Sequence, residues 1–242
     1  MTEPVITVPA FGSAHDGVRH FFGTREHAPA YETGVPAPAA DAGGLAWMLS
    51  VKQVHGTDAL IVDRPLTGTD RFLGAWDALI TDQPGITVVV RTADCVPVLI
   101  YDRGRKAVAA VHAGWRGALA GIVPRTIQSM VARFGVQTRN LRVSIGPSAG
   151  SCCYEVDQAV LTPLRSSRPD WVSLLRDDRG SKAKLDLKAL VRRQTEESGI
   201  PVQQITVVNV CTICHPALFH SYRREGRVNG TMLNGITLVS RR

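Results

Sequence analysis

The chain has 242 residues, of which 44% are hydrophobic, and a formal net charge of +7. That much apolar material can bury a substantial core, which excludes a disordered chain. The basic balance suits anionic ligands such as phosphate. The arginines are scattered and no RNA-binding signature is present, so no nucleic-acid partner is expected.

The opening residues, MTEPVITVPAFG, show no basic segment followed by an apolar one. No run approaches the roughly 18 apolar residues of a membrane helix. The expectation is a cytoplasmic protein, with no membrane partner and with its five cysteines reduced. A monomer is the default.

Val5 to Pro9 and Val18 to Phe22 read as short strands, and residues 27 to 45, rich in Pro, Ala and Gly, as a surface loop. Trp47 to Val54 alternates loosely and ends at His55-Gly56. Ala59 to Val62 and Asp77 to Thr81 are further strands. Two apolar runs follow, Val88 to Val90 and Ala107 to Val111, leading to Cys95 and His112. Bounded by Gly, Pro and Asp, they read as buried strands. After Trp115 the period turns helical, through Leu119, Ile122, Val123, Ile127, Met130, Val131 and Phe134, with Gly135 as the stop. Pro124 must either kink this helix or mark the first turn of one that starts later. Leu141 to Ile145 is a strand, Asp157 to Leu164 a short helix, and Arg176 to Lys184 a polar loop. Leu185 to Ser198 is an amphipathic helix, with Asp186 near its start and Gly199 after it. Ile205 to Val210 and Ile236 to Val239 are the last strands. About nine strands and three helices, with no repeat and no linker, predict one α+β domain over residues 1 to 242, its mixed sheets carrying helices on the outside.

His55, Cys95 and His112 each follow an apolar run. One thiol and two imidazoles could form an open three-ligand zinc set with a fourth position for water or substrate. Spacing alone equally allows histidines that are hydrogen-bonded at strand ends. The same side chains would also serve a nucleophile mechanism, with Cys95 attacking and His112 as base. In HAGWRG, residues 112 to 117, the glycines permit close backbone approach, and the following helix start offers N–H groups to an anion. Arg116 would add a bidentate phosphate contact, or simply lie in solvent. CTICH, residues 211 to 215, matches the C-x-x-C-H pattern of covalent haem attachment. The lack of an export signal argues against haem and leaves a metal site, a redox pair or, most simply, buried thiols. Cys152 and Cys153 are adjacent, where a disulfide would be badly strained.

Six segments then resemble one family, in order: VKQVHG (51–56), DALITDQPG (77–85), VVVRTADCVPVLI (88–100), AVAAVHAGWRGALAGIV (107–123), IGPSAGSCCYEV (145–156) and CTICHPALFHSYRREG (211–226). They are similar to the YfiH family, over roughly residues 45 to 240. That family has carried the names multicopper polyphenol oxidase (laccase) domain, purine nucleoside phosphorylase and peptidoglycan editing factor. The resemblance implies zinc on His55, Cys95 and His112, with copper as a possible substitute. It implies phosphorolysis of adenosine, inosine, guanosine and methylthioadenosine, and deamination of adenosine, so that purine nucleoside and phosphate are the partners. It also implies a single α/β domain with a sheet sandwich, distantly similar to the catalytic domain of cytotoxic necrotizing factor toxins, which use a Cys–His pair.

On this reading Asp94 or Glu155 would move protons, unless they are a turn cap and a helix-start charge. Arg116, Arg25 or Arg223 would hold phosphate. The Gly-Gly-Val-Ser that often follows the family's Thr-Arg is missing after Arg25, which leaves the role of Arg25 open. The laccase name conflicts with the composition. Seven histidines and no His-x-His pair cannot supply a four-copper cluster, and the blue-copper set could be met only once. Two other classes stand beside the nucleoside enzyme. One is a Cys–His thiol hydrolase acting on peptidoglycan precursors; the other is a redox or haem module on Cys211, Cys214 and His215.

Overall fold

Residues 5–12, 17–26, 33–38 and 47–239 are described by the structure, a computed structural model. The first strands are β1 (Val5–Ile6), β2 (Val18–Gly23), β3 (Ala37–Pro38), β4 (Trp47–Ser50), β5 (Ala59–Val62) and β6 (Ala78–Thr81). The central stretch forms β7 (Ile86–Thr92), β8 (Val96–Asp102) and β9 (Ala107–Ala113), then α1 (Trp115–Leu119) and α2 (Ile122–Phe134). There follow β10 (Leu141–Ile145), β11 (Glu155–Asp157), α3 (Gln158–Ser167), β12 (Leu175–Arg176), β13 (Lys182–Leu185) and α4 (Leu187–Glu197). The chain closes with β14 (Ile205–Val207), α5 (Tyr222–Glu225) and β15 (Met232–Leu238). No helix among the described residues is long and apolar enough to cross a membrane.

One sheet runs β1-β2-β15-β7-β4-β3 and a second runs β14-β10-β8-β9-β6-β5; β11-β13-β12 form a small third. Both large sheets are mixed. β4 lies parallel to β7, β5 to β6 and β10 to β14, and the remaining pairs are antiparallel. Alternate residues decide the layers. Val88 and Val90 of β7 and Ile236 of β15 pack with Leu99 and Tyr101 of β8 and Val108 of β9, filling the space between the large sheets. The other face of the second sheet, with Val98, Ile100, Ala109 and Val111, meets Ile127 and Met130 of α2 and Leu190 and Val191 of α4. β8 and β9 are therefore covered on both faces and read as unbroken apolar runs. The α+β sandwich with outer helices is the fold expected from the sequence.

Several boundaries differ from the sequence expectation. β8 is not among the expected strands, because Pro97 at its second position interrupts the pattern. Here Pro97 loses nothing on its carbonyl side, which accepts the Gly146 N–H at 2.8 Å. The stretch 176–184, expected as a polar loop, ends in β13, which pairs with β12 and β11. Pro124 resolves to the second expected case. α1 ends, Gly121 turns through φ 83°, and Pro124 falls in the first turn of α2, where a missing N–H costs nothing. Asp157 and Asp186 cap α3 and α4 by accepting the N–H of Ala159 and Ala189. The expected loop at 27–45 falls mostly outside the described residues.

Candidate metal centre

The second sheet builds the centre at one end. β9 carries His112, and its antiparallel neighbour β6 begins just after Asp77, so the two side chains meet across the strands. Asp77 Oδ1 lies 2.7 Å from His112 Nδ1, and the His112 N–H donates to the Asp77 carbonyl, also at 2.7 Å. The same carboxylate accepts the backbone N–H groups of Val54, His55 and Gly56 at 3.2, 2.9 and 2.7 Å. These three bonds hold His55 in a left-handed turn with φ 61°. Cys95 comes from the turn between β7 and β8, where Asp94 has φ 90°. The result is a set of one thiol and two imidazoles whose ligand atoms all lie within 4.8 Å of one another. Cys95 Sγ is 3.7 Å from His55 Nε2, and the two imidazole rings meet edge to face at 4.8 Å.

Gly114 is needed here for space. A Cβ on it would run into the His55 ring and come within 3.2 Å of Cys95 Sγ. The electrostatics are those of a paired thiolate and imidazolium. Burial opposes charge on Cys95, but hydrogen bonds from His112 and His55 outweigh it and bring the thiol down to about 6. Burial also opposes charge on His112, yet Asp77 and Cys95 push it up to about 9. Nitrogen and sulfur donors, one imidazole backed by a carboxylate, fit zinc or copper.

The centre opens into a cavity of about 940 Å³ lined by Arg91, Arg116, Arg223, Trp115, Tyr154 and Tyr222, among others. Arg116 stacks on Trp115 at 4.3 Å. Arg223 donates to the Glu155 carbonyl at 2.6 Å and lies 5.2 Å over the Tyr154 ring. Arg25 is not in this lining; its guanidinium donates to the Pro216 carbonyl. Asp94 reaches the cavity wall, but its oxygens are occupied. Oδ1 accepts from Thr212 Oγ1 at 2.6 Å, and Oδ2 from Ser221 Oγ at 2.9 Å and the Arg223 N–H at 2.7 Å. The Glu155 carboxylate pairs with Arg179 and Lys182.

Asp77 and Arg91 are site residues that the sequence reading does not single out. Asp77 sits directly before the apolar strand ALIT, and Arg91 interrupts the run VVVRT. In CTICH, His215 Nδ1 bonds the Cys211 carbonyl at 2.9 Å, while Cys214 Sγ turns toward Cys152 and Cys153.

A mixed α+β sandwich with a His–Cys–His centre at the end of its inner sheet defines an enzyme domain with an open, metal-capable site. The chain belongs to the family described as multi-copper polyphenol oxidoreductase laccase, whose pattern matches residues 37–239. It is 36% identical over 193 residues to a protein of Bacteroides thetaiotaomicron named purine nucleoside phosphorylase, covering 77% of this chain and 71% of that one. It is 30% identical over 191 residues to adenosine deaminase RL5 from an unknown prokaryotic organism, covering 76% and 72%. The crystal structure of the Bacillus licheniformis hypothetical protein YfiH matches with a TM-score of 0.77 at 28% identity, over 91% of this chain and 92% of that one. The YfiH resemblance of the motifs is thus borne out. Of two longer relatives, from mouse and human, the chain spans 38% and 43% of the length.

Proposed function

We propose that this chain processes purine nucleosides, splitting them with phosphate and deaminating adenosine, at a zinc centre held by His55, Cys95 and His112. One observation carries the reading: the donor triad opens into a cavity walled by arginines and aromatic rings. The relatives named purine nucleoside phosphorylase and adenosine deaminase support it. A zinc ion bound there would supply a Lewis acid able to make water nucleophilic at neutral pH.

The chain's own groups have separable tasks. Asp77 fixes the His112 ring through Nδ1 and leaves Nε2 as the donor. Arg91, Arg116 and Arg223 offer guanidinium groups to phosphate, whose charge they would hold near the ribose as C1′ develops positive character. Arg25 is assigned instead to tying down the loop at Pro216. The rings of Trp115, Tyr154 and Tyr222 give a purine apolar faces. Burial, then the Cys95 charge, pushes Tyr154 up to about 12, so it stays protonated and can donate a hydrogen bond. With both oxygens of Asp94 committed and Glu155 paired to cations, we assign Asp94 to positioning the turn beneath Cys95 and give Glu155 no proton-transfer role.

The test joins metal content to turnover. Protein purified without added metal should carry zinc in the His–Cys–His centre, and chelator should suppress the formation of adenine and inosine from adenosine plus phosphate. Cys95→Ala and His112→Ala should each abolish both products; full phosphorolysis in either variant sinks the assignment. Copper bound in place of zinc, with oxidation of phenols exceeding nucleoside turnover, would favour the laccase name.

The thiolate–imidazolium pair favours one second reading, a thiol hydrolase acting on peptidoglycan precursors. That enzyme would be killed by thiol alkylation and spared by chelator.

A further inference from the structure

The remaining four cysteines form a second cluster away from the cavity lining. Cys152 and Cys153 follow β10, whereas Cys211 and Cys214 follow β14. One Sγ from each brings all four within 4.8 Å of one another. Cys214 Sγ lies 3.6 Å from Cys152 Sγ and 3.3 Å from Cys153 Sγ. Four thiolates around one zinc at about 2.3 Å would stand about 3.8 Å apart along each tetrahedral edge. The two Cys214 spacings lie within about 0.5 Å of that edge, and the remaining sulfurs are within 4.8 Å of one another.

Three further features fit a cation rather than a set of idle thiols. Cys211 Sγ accepts the Gly150 N–H at 3.2 Å. A backbone donor from the first segment thus meets the first sulfur of the C-x-x-C turn on the second. Gly150 leaves the room this requires, since a Cβ there would lie 3.1 Å from Cys211 Cβ and 3.2 Å from Cys152 Sγ. The Lys188 ammonium donates to the carbonyl of Val210, the residue before Cys211, at 2.9 Å. A tetrathiolate zinc site carries two net negative charges, which a nearby ammonium offsets. Adjacent Cys152 and Cys153 are also poor disulfide partners, whereas both can face one metal.

We propose that Cys152, Cys153, Cys211 and Cys214 bind a second zinc ion, in a closed structural site. It would clamp the segment after β10 to the segment after β14. The first bears Tyr154 and the Glu155 carbonyl that holds Arg223; the second bears Thr212, which holds Asp94. The site does not depend on the nucleoside reading, and its test need not use turnover.

Cys95→Ala removes the thiol of the first centre and leaves four cysteines, all in this cluster. Metal-free, reduced Cys95→Ala protein is titrated with Co2+, then with Zn2+. The expected result is one Co2+ per chain with intense thiolate-to-cobalt charge-transfer absorption and tetrahedral d–d bands, both erased by one equivalent of Zn2+. Adding Cys214→Ser should weaken the charge-transfer intensity and lower zinc affinity at least 10-fold. Four thiols that stay fully reactive with Zn2+ present, with no cobalt spectrum, would overturn the proposal. So would a disulfide among the four in intact protein purified under reducing conditions, or an iron–sulfur absorbance. Should the double variant fail to fold, the cobalt spectrum of Cys95→Ala alone still decides.

Discussion

Asp77 accepts hydrogen bonds from three consecutive backbone amides and from His112, so one carboxylate places two of the three donors. Asp77→Asn should therefore reduce zinc affinity by about 10- to 100-fold while the chain still folds, measured by competition with a chromophoric chelator. Gly114→Ala should do at least as much by pushing His55 off the centre; unchanged metal uptake would refute the close packing described. The pH behaviour of the metal-free protein follows from the two shifts. His112 is raised to about 9, so its contribution is complete below its ordinary value of 6.5 and is lost as pH rises through about 9. Cys95 is lowered to about 6, so its contribution is complete above its ordinary 9.0 and is lost as pH falls through about 6. The attraction between them needs both charges. Metal-free Tm should be highest, relative to Cys95→Ser, between about pH 6 and 9. Alkylation at Cys95, followed on its own peptide, should rise with a midpoint near 6. The three candidate donors can be picked out of the sequence because each follows an apolar run and lies in a motif that resembles the YfiH family, whereas spacing alone leaves them open. Asp77 is not, since a carboxylate before a strand looks like any solvated turn residue until the strand opposite it is known.

The β7–turn–β8 element is held from outside itself, through Asp94 to Thr212, Ser221 and Arg223. Thr212→Val removes one donor from a buried carboxylate and should cost about 1–3 kcal/mol in denaturant unfolding. A cost near zero would mean that the C-terminal segment does not brace the turn. Leu99→Ala, in the strand covered on both faces, should cost about 2–5 kcal/mol. The helices α2, α3 and α4 are visible in the sequence from period, caps and glycine stops. β8 is hidden by Pro97, whose tolerance depends on which neighbour its missing N–H would have faced. β13 is hidden because KAKL lies in a small sheet with its lysines outward, so burial leaves little mark on composition.

Across the whole molecule, the charge of +7 and the arginines around the cavity act together on anions. Raising salt from low ionic strength to about 0.5 M should increase KM for phosphate severalfold and leave kcat for deamination nearly unchanged, because screening weakens the attraction of a charged co-substrate. Equal effects on both would argue against the arginine wall as the phosphate site. The layered fold class is legible from the mixture of strands and helices, although about nine strands and three helices are expected and fifteen and five form among the described residues. Which strands become neighbours is not, because pairing across long separations leaves no local pattern.

That pairing bears on how the protein is made. β15, residues 232 to 238, is the hydrogen-bonded neighbour of both β2 and β7, so these two strands cannot be joined in one sheet until residues 232 to 238 have been made. The three partners of Asp94 also lie more than a hundred residues downstream of it. While residues 212 to 238 are still being made, Asp94 lacks its three braces and β2 and β7 lack the strand that joins them. The turn that carries Cys95 thus gains its outer supports late, after segments more than a hundred residues away have been made.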